Sequence, residues 1–245
     1  MSRIAFISDI HSNILALNAV LKHIDTVGAD NILCLGDIVG YGPWPAECIQ
    51  TIRDRKIPTV MGNHDEYVTL LMDPRVAQLR EEVRLAVEWT QAHLSMDDLY
   101  WLTKLPMRID TDYFEVLHGS FFPSRWAYCL DEATFQANFK YQTPQLAFCG
   151  HSHSPLIAFD QEEGDQPLVD YIRKSTIPED RKVMVNVGSV GQPRDRNPRA
   201  CVVFYELESR EVWLDRVEYD TAAVRKQIYE VGLPKRLGDR LLVGR

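Results

Sequence analysis

The sequence predicts an α/β fold, a parallel sheet with helices packed on it. Two observations carry this. Short apolar runs alternate with segments of helical periodicity from the N-terminus onward. Several of those runs end in Asp, Asn or His, mostly beside glycine, as strands that deliver side chains to a crevice do.

Ile4–Ser8 has the length and apolarity of a buried strand. Asn13–Val27 follows with Ile14, Leu17, Leu21 and Ile24 at helical spacing. Ile32–Leu35 reads as a second strand, Pro45–Arg55 as a second amphipathic helix and Pro58–Met61 as a third strand. Past Pro74, residues Arg75–Leu94 place Val76, Leu79, Val83 and Val87 in phase, which predicts one long helix, with a short one at Asp97–Leu102. From there the pattern turns β-rich. Arg108–Ile109 and Tyr113–Leu117 flank Asp110-Thr111-Asp112, a hairpin turn. Asp131–Phe139 is helical, and Leu146–Cys149, Pro155–Phe159, Lys182–Val187, Ala200–Glu206 and Glu211–Val217 are strands, with Asp220–Val231 a closing helix. Residues 160–180 are polar and read as a surface insertion. Residues 232–245, with Lys235, Arg236, Arg240 and Arg245, read as a basic, solvated tail. No repeat or linker divides the chain, so residues 1–245 are expected to form a single domain.

Composition narrows the function. The 245 residues are 45% hydrophobic and 25% charged, which excludes disorder and fibrous repeats. Acidic residues outnumber basic ones 35 to 27, a net charge of −8, the wrong sign for stable nucleic-acid binding through phosphate neutralisation. The cysteines (Cys34, Cys48, Cys129, Cys149, Cys201) are odd in number and never paired as C-x-x-C, so they read as structural. With no signal-peptide layout and no apolar stretch of membrane-spanning length, a cytoplasmic protein without membrane contact is expected.

The chemistry sits at the strand ends. Asp9-Ile10-His11 follows the first strand, Gly36-Asp37 the second and Gly62-Asn63-His64-Asp65 the third. His118-Gly119 and Gly150-His151-Ser152-His153 follow two later ones. A lone buried histidine is ordinarily just hydrogen-bonded. Five histidines placed alike, with Asp and Asn, point instead to metal ligation. Asp9, His11, Asp37, Asn63, His118, His151 and His153 are too many for one four-coordinate site. Taken as an extended segment, His151 and His153 project to one side and reach neighbouring ions, while a carboxylate such as Asp37 can bridge them. Two ions about 3.5–4 Å apart suit in-line displacement at phosphorus, and their charge makes a local pocket positive on an acidic protein.

In this order, the motifs resemble those of the calcineurin-like metallophosphoesterases over residues 3 to about 200. The resemblance implies a four-layer α/β/β/α sandwich of two mixed sheets flanked by helices, with a dinuclear centre. It implies Asp9, His11, Asp37 and His153 around one metal, and Asp37 as bridge with Asn63, His118 and His151 around the other. It implies His64 as the catalytic residue, protonating the leaving oxygen after in-line attack by a metal-bridging hydroxide. Protein Ser/Thr phosphatases of this superfamily read roughly G-D-x-V-D-R-G, whereas this chain reads Gly36-Asp37-Ile38-Val39-Gly40-Tyr41-Gly42. The carboxylate that would orient the catalytic histidine is replaced by Gly40, and Asp65 is the candidate substitute. The segment is more similar to the small bacterial and archaeal phosphodiesterases and diadenosine-tetraphosphatase-like proteins.

The loop Gly188-Ser189-Val190-Gly191-Gln192-Pro193-Arg194-Asp195-Arg196 offers Arg194 as a substrate-binding fork for phosphate. Tyr41, Trp44, Phe121, Phe122 and Trp126 flank the metal motifs, where they either stack on a base or pack around the site mouth. The expected function is a dinuclear metal-dependent phosphoesterase acting on phosphodiester or dinucleoside-polyphosphate bonds of a small-molecule or nucleotide substrate. A broad-specificity phosphomonoesterase and a non-catalytic metal-binding scaffold are the alternatives. Oxygen and imidazole ligands without thiolate admit two divalent ions of manganese, iron, zinc, cobalt or nickel, with manganese favoured.

Overall fold

Strand alternation, read residue by residue, assigns every layer of the molecule. The computed structural model describes residues 2–162 and 165–245. From the N-terminus the chain runs through β1 (Arg3–Ile7), α1 (Ile14–Val27), β2 (Asn31–Cys34), α2 (Pro45–Asp54), α3 (Asn63–Thr69), α4 (Pro74–Ala77), α5 (Glu81–Ala92) and α6 (Met96–Leu102). It continues through β3 (Arg108–Asp110), β4 (Glu115–Leu117), α7 (Glu132–Phe139), β5 (Leu146–Cys149), β6 (Pro155–Phe159), β7 (Leu168–Tyr171), β8 (Ser175–Thr176) and β9 (Val183–Val187). β10 (Ala200–Glu206), β11 (Glu211–Val217), α8 (Thr221–Glu230), α9 (Lys235–Asp239) and a 3₁₀ turn at Arg240–Leu242 close it.

One sheet has five strands in the order β2-β1-β10-β11-β8, the other six in the order β3-β4-β5-β9-β6-β7. Both are mixed: β1 is parallel to β2 and antiparallel to β10, and β9 is parallel to β5 and antiparallel to β6. In β1, Ile4 and Phe6 face the second sheet, joining Phe114, Phe148, Val185 and Tyr205 between the sheets. Ala5 and Ile7 face the other way, onto Leu17, Val20, Leu21 and Ile24 of α1 and Ile49 and Ile52 of α2. On the far side, Ala147 and Cys149 of β5 meet Phe135 and Phe139 of α7. The period of two thus yields helix, sheet, sheet, helix. Phe6 and Phe148 stack across the sheet interface with centroids 3.8 Å apart at 13°. α1 is bounded by its ends: Asn13 Oδ1 accepts from Ala16 N at 3.1 Å, and left-handed Gly28 returns its N–H to Ile24 O.

Four expectations are corrected. Pro58–Met61 is not a strand but a single parallel bridge, Cys34 to Thr59. Residues 75–94 form two helices, because Asp73 caps α4 while Arg80 turns extended and starts α5. Val76 and Val87 still reach one core, so periodicity recorded the buried face and not continuity. The polar segment 160–180 supplies edge strands to both sheets, β7 on β6 and β8 on β11. Its residues 163 and 164 lie outside the described residues. The basic tail is folded: Leu233, Leu237 and Leu241 recur every fourth residue and bury against Val224 and Ile228 of α8, with Lys235 and Arg236 left outward.

Candidate metal centre

The sheets deliver their loops to one place. Asp9, His11, Asp37, His151 and His153 all adopt positive φ, between 48° and 66°, in the short turns after β1, β2 and β5. Left-handed backbone is unfavourable for such residues and persists where surrounding structure enforces it, commonly at functional sites. His151 and His153 therefore sit on a turn, not on the extended segment expected. Asn63 and His64 open α3 behind Gly62, where a Cβ would overlap Asp37 Oδ1. His64 N donates to Asp37 Oδ1 at 2.8 Å, and His151 N to Asp9 Oδ2 at 3.0 Å.

The inward atoms form two adjoining clusters. Ligand atoms of Asp9, His11 and His153 lie within 4.8 Å of one another, as do those of Asp37, His118 and His151. His153 Nε2 is 3.1 Å from Asp9 Oδ1, and His118 Nε2 is 3.4 Å from Asp37 Oδ2. His11 Nε2 joins the clusters, 3.8 Å from Asp9 Oδ1 and 3.6 Å from Asp37 Oδ2. Asn63 contributes an amide oxygen that is buried without a partner. His64 also falls within 4.8 Å of His11 and Asp37.

Backbone carbonyls fix the imidazoles. Nδ1 of His11, His118 and His153 faces Val39 O (3.1 Å), Leu35 O (2.6 Å) and Gln192 O (2.6 Å), and Nε2 of His151 faces Trp126 O (3.0 Å). A carbonyl only accepts, so each of these nitrogens carries a hydrogen, and in the neutral ring the opposite nitrogen is the one with a lone pair for the cluster. Asp9 Oδ1, Asp37 Oδ2, Asn63 Oδ1 and His118 Nε2 are buried with no hydrogen-bond partner. Each such orphan costs about 1–3 kcal/mol. Asp9 Oδ1 and Asp37 Oδ2 lie within 3.9 Å of His118 Nε2, and this donor set fits divalent cations bound by oxygen and imidazole.

Burial alone would raise Asp9 and Asp37, but His153 beside the first and His118 beside the second hold both well below the usual carboxylate range. Burial drives His11 well below its ordinary value, His64 down to about 4 and His151 to about 3. His118 goes the other way. Burial would lower it, yet Asp37 and Asp9 push it up to about 9.

Asp65 does not reach the catalytic candidate. Its Oδ1 accepts from Ile38 N (2.9 Å) and Val39 N (3.2 Å), and its Oδ2 from Gly62 N (3.0 Å). It ties the loop after β2 to the start of α3, while His64 Nδ1 is left buried and unpartnered beside Gly40. A cavity of about 570 Å³ opens over Asn63, His64 and His151, and Arg194 lines its wall. The Arg194 loop is stitched to the end of β1 through Ser189 Oγ to Asp9 O (2.8 Å) and Gly191 N to Asp9 O (2.9 Å). A half-buried Asp195–Arg216 ion pair braces it. Of the flanking aromatics, Tyr41 and Trp126 line the cavity. Trp44 and Phe121 pack into core clusters, and Phe122 stacks on Tyr141. Sequence reasoning missed Tyr67 and Tyr128 on the same wall, with Tyr128 stacked on His151 at 4.2 Å. It also missed Arg236 and Arg240. The leucine spacing around them was the available signal.

Comparison with known proteins accords with this fold. The calcineurin-like phosphoesterase superfamily domain matches residues 2–210. The chain belongs to that superfamily, and so to the metal-dependent hydrolases of phosphoric esters. An uncharacterised protein of Methanocaldococcus jannaschii is 38% identical over 249 residues, covering 100% of this chain and 99% of its own. A metallophosphoesterase from Sphaerobacter thermophilus superposes with a TM-score of 0.86 at 36% identity, covering 99% of this chain and 100% of its own. A hypothetical protein from Pyrococcus horikoshii OT3 shares the fold at a TM-score of 0.80 and 19% identity, covering 100% and 99%. No helix among the described residues is long and apolar enough to cross a membrane.

Proposed function

We propose that the chain is one domain holding two divalent ions, with which it hydrolyses phosphodiester or dinucleoside-polyphosphate bonds of small-molecule substrates. The observation that carries this is the pair of adjoining clusters, Asp9–His11–His153 and Asp37–His118–His151, opening on a cavity that His64 lines. Asp9, His11, Asp37 and His153 would hold one ion, and Asp37, Asn63, His118 and His151 the other. Their oxygen and imidazole donors suit manganese, our first choice among manganese, iron, zinc, cobalt and nickel. Bound divalent ions supply Lewis acidity and a nucleophilic water at neutral pH.

The chain's own groups do the rest. Four backbone carbonyls orient the imidazoles, so the ligand atoms are preorganised. His64 faces the leaving oxygen. With Nδ1 sealed against Gly40, proton exchange falls to Nε2. Arg194 steadies the substrate's anionic end. Five buried free cysteines suit a reducing compartment, in keeping with a cytoplasmic enzyme.

The test is turnover by metal-depleted protein reloaded with manganese on bis(p-nitrophenyl) phosphate, p-nitrophenyl phosphate and diadenosine tetraphosphate at equal concentration. Preference for the diester or the dinucleotide is expected. Monoester preference would put a phosphomonoesterase in its place. No turnover with both ions bound would favour a scaffold.

A further inference from the structure

Arg194 shares the cavity wall with two arginines from the C-terminal segment, Arg236 on α9 and Arg240 on the 3₁₀ turn after it. We propose that these three guanidiniums form a subsite for a second phosphoryl group of the substrate, beside the one engaged at the metal cluster. The preferred substrate then carries a phosphoanhydride, as nucleoside polyphosphates do. This assignment rests on the phosphoesterase reading and adds Arg236 and Arg240 as specificity-determining residues.

Charge is the first argument. Arg80, Arg194, Arg236 and Arg240 line the cavity against Glu81 and Glu82, a local excess of two positive charges on a chain whose net charge is −8. Glu82 is engaged at the rim, 3.3 Å from exposed Arg236. Such exposed pairs exchange readily for a better ligand.

Missing partners are the second. Arg194 and Arg240 are half-buried, and Arg194 forms no ion pair with a carboxylate among the described residues. Arg194 Nε is buried with no acceptor, and its Nη2 reaches only the neutral amide of Gln192 at 2.9 Å. Arg240 Nε donates to the main-chain oxygen of Arg245. Burial and the neighbouring Arg194 charge push Arg240 down to about 10, which still leaves it cationic at neutral pH. Two like charges brought together in partial burial disfavour each other, and an anion between them relieves both. Guanidinium forks suit tetrahedral phosphate oxygens.

Rigidity is the third. Leu237 and Leu241, which bracket Arg240, pack in one cluster with Tyr41, Val224 and Ile228. The Tyr41 ring lies 4.3 Å from that of His64 and 4.7 Å from that of His11. On the other side, Arg196 N donates to Gly244 O at 2.8 Å, tying the segment to the Arg194 loop. The arginines are thus held against the metal loops from two directions. A cavity of about 570 Å³ is of nucleotide-binding size, well beyond one phosphate.

The test is calorimetric binding to the full, metal-loaded chain, with adenosine monophosphate and the α,β-methylene analogue of adenosine diphosphate as probes. Wild type is expected to bind the diphosphate analogue about tenfold tighter than the monophosphate. Arg240→Gln and Arg194→Gln should each bring that ratio below about threefold. Arg240→Gln can loosen the last turn, so its melting temperature is recorded. Arg236→Gln, at an exposed position, should lower the ratio too without a change in melting. A wild-type ratio already below threefold, or one unchanged in all three variants, would overturn the subsite. Diphosphate preference without hydrolysis of any ester would sink the hydrolase reading and leave the subsite standing.

Discussion

Gly40→Ala is expected to unseat His64. Gly40 has φ +90°, and a Cβ built there lies 2.5 Å from His64 Nδ1. Contact at about 3.5 Å requires the ring to retreat by roughly 1 Å. Left-handed backbone costs an alanine about 1–2 kcal/mol. At a urea dependence of ~3 kcal/mol per molar, the unfolding midpoint should fall by roughly 0.5 M. A catalytic group displaced by 1 Å loses on the order of a hundredfold in turnover. Gly28→Ala separates the two effects, because Gly28 has φ +81° and nothing within 4 Å of its would-be Cβ. It should lose comparable stability and keep full activity. The assay is paired urea unfolding and kcat on metal-loaded protein, with metal content measured. A Gly40→Ala protein with kcat within about twofold of wild type would refute the reasoning, because the ring would then have no need of its present place.

Three further outcomes are expected. His64→Ala should reduce turnover by roughly 10²–10⁴-fold while metal content, measured by emission spectroscopy, stays near wild type; loss of metal would make His64 a ligand. Chelation of both ions should lower the melting temperature in calorimetry by about 10–20 °C relative to protein in metal at a hundred times the dissociation constant of each site; equal melting would mean that the orphaned Asp9, Asp37 and His118 atoms hold no ion. Phe148→Ala removes one ring of the stack that joins the two sheets. It should cost about 3–5 kcal/mol in urea with unchanged kcat per folded molecule, and a loss under 1 kcal/mol would mean the sheets do not depend on that contact.

What could be read from the sequence was what side-chain identity encodes. Phe6, Phe114 and Phe148 announced buried strands, and Asp9 and His11 stood out because polar residues directly after an apolar run need a reason. The partners of the imidazoles were invisible, since Val39, Leu35, Gln192 and Trp126 act through carbonyl oxygens that every residue possesses. Asp65 illustrates the same limit. Its place next to His64 suggested an orienting carboxylate, yet its oxygens serve three backbone N–H groups. α3 was hidden because Asn63 and His64 look like motif positions after a strand, although Asp65 and Glu66 in the next two places suit a helix's first turn. In the last segment, charge concealed the leucine spacing that folds it.

The antiparallel pairing of β1 with β10 sets the order in which the site can be completed. Arg3 and Glu206 are register partners 203 positions apart, so β1 leaves synthesis long before its neighbour exists. Until β10 is made, one edge of β1 is open to pairing with another chain. Asp9, at the end of that strand, meanwhile lacks the Ser189 and Gly191 contacts that hold its carbonyl. His153 equally lacks Gln192. A nascent or truncated polypeptide thus carries Asp9 and His153 without their supports, and if they hold metal as proposed, metal uptake would mark chains that have finished folding.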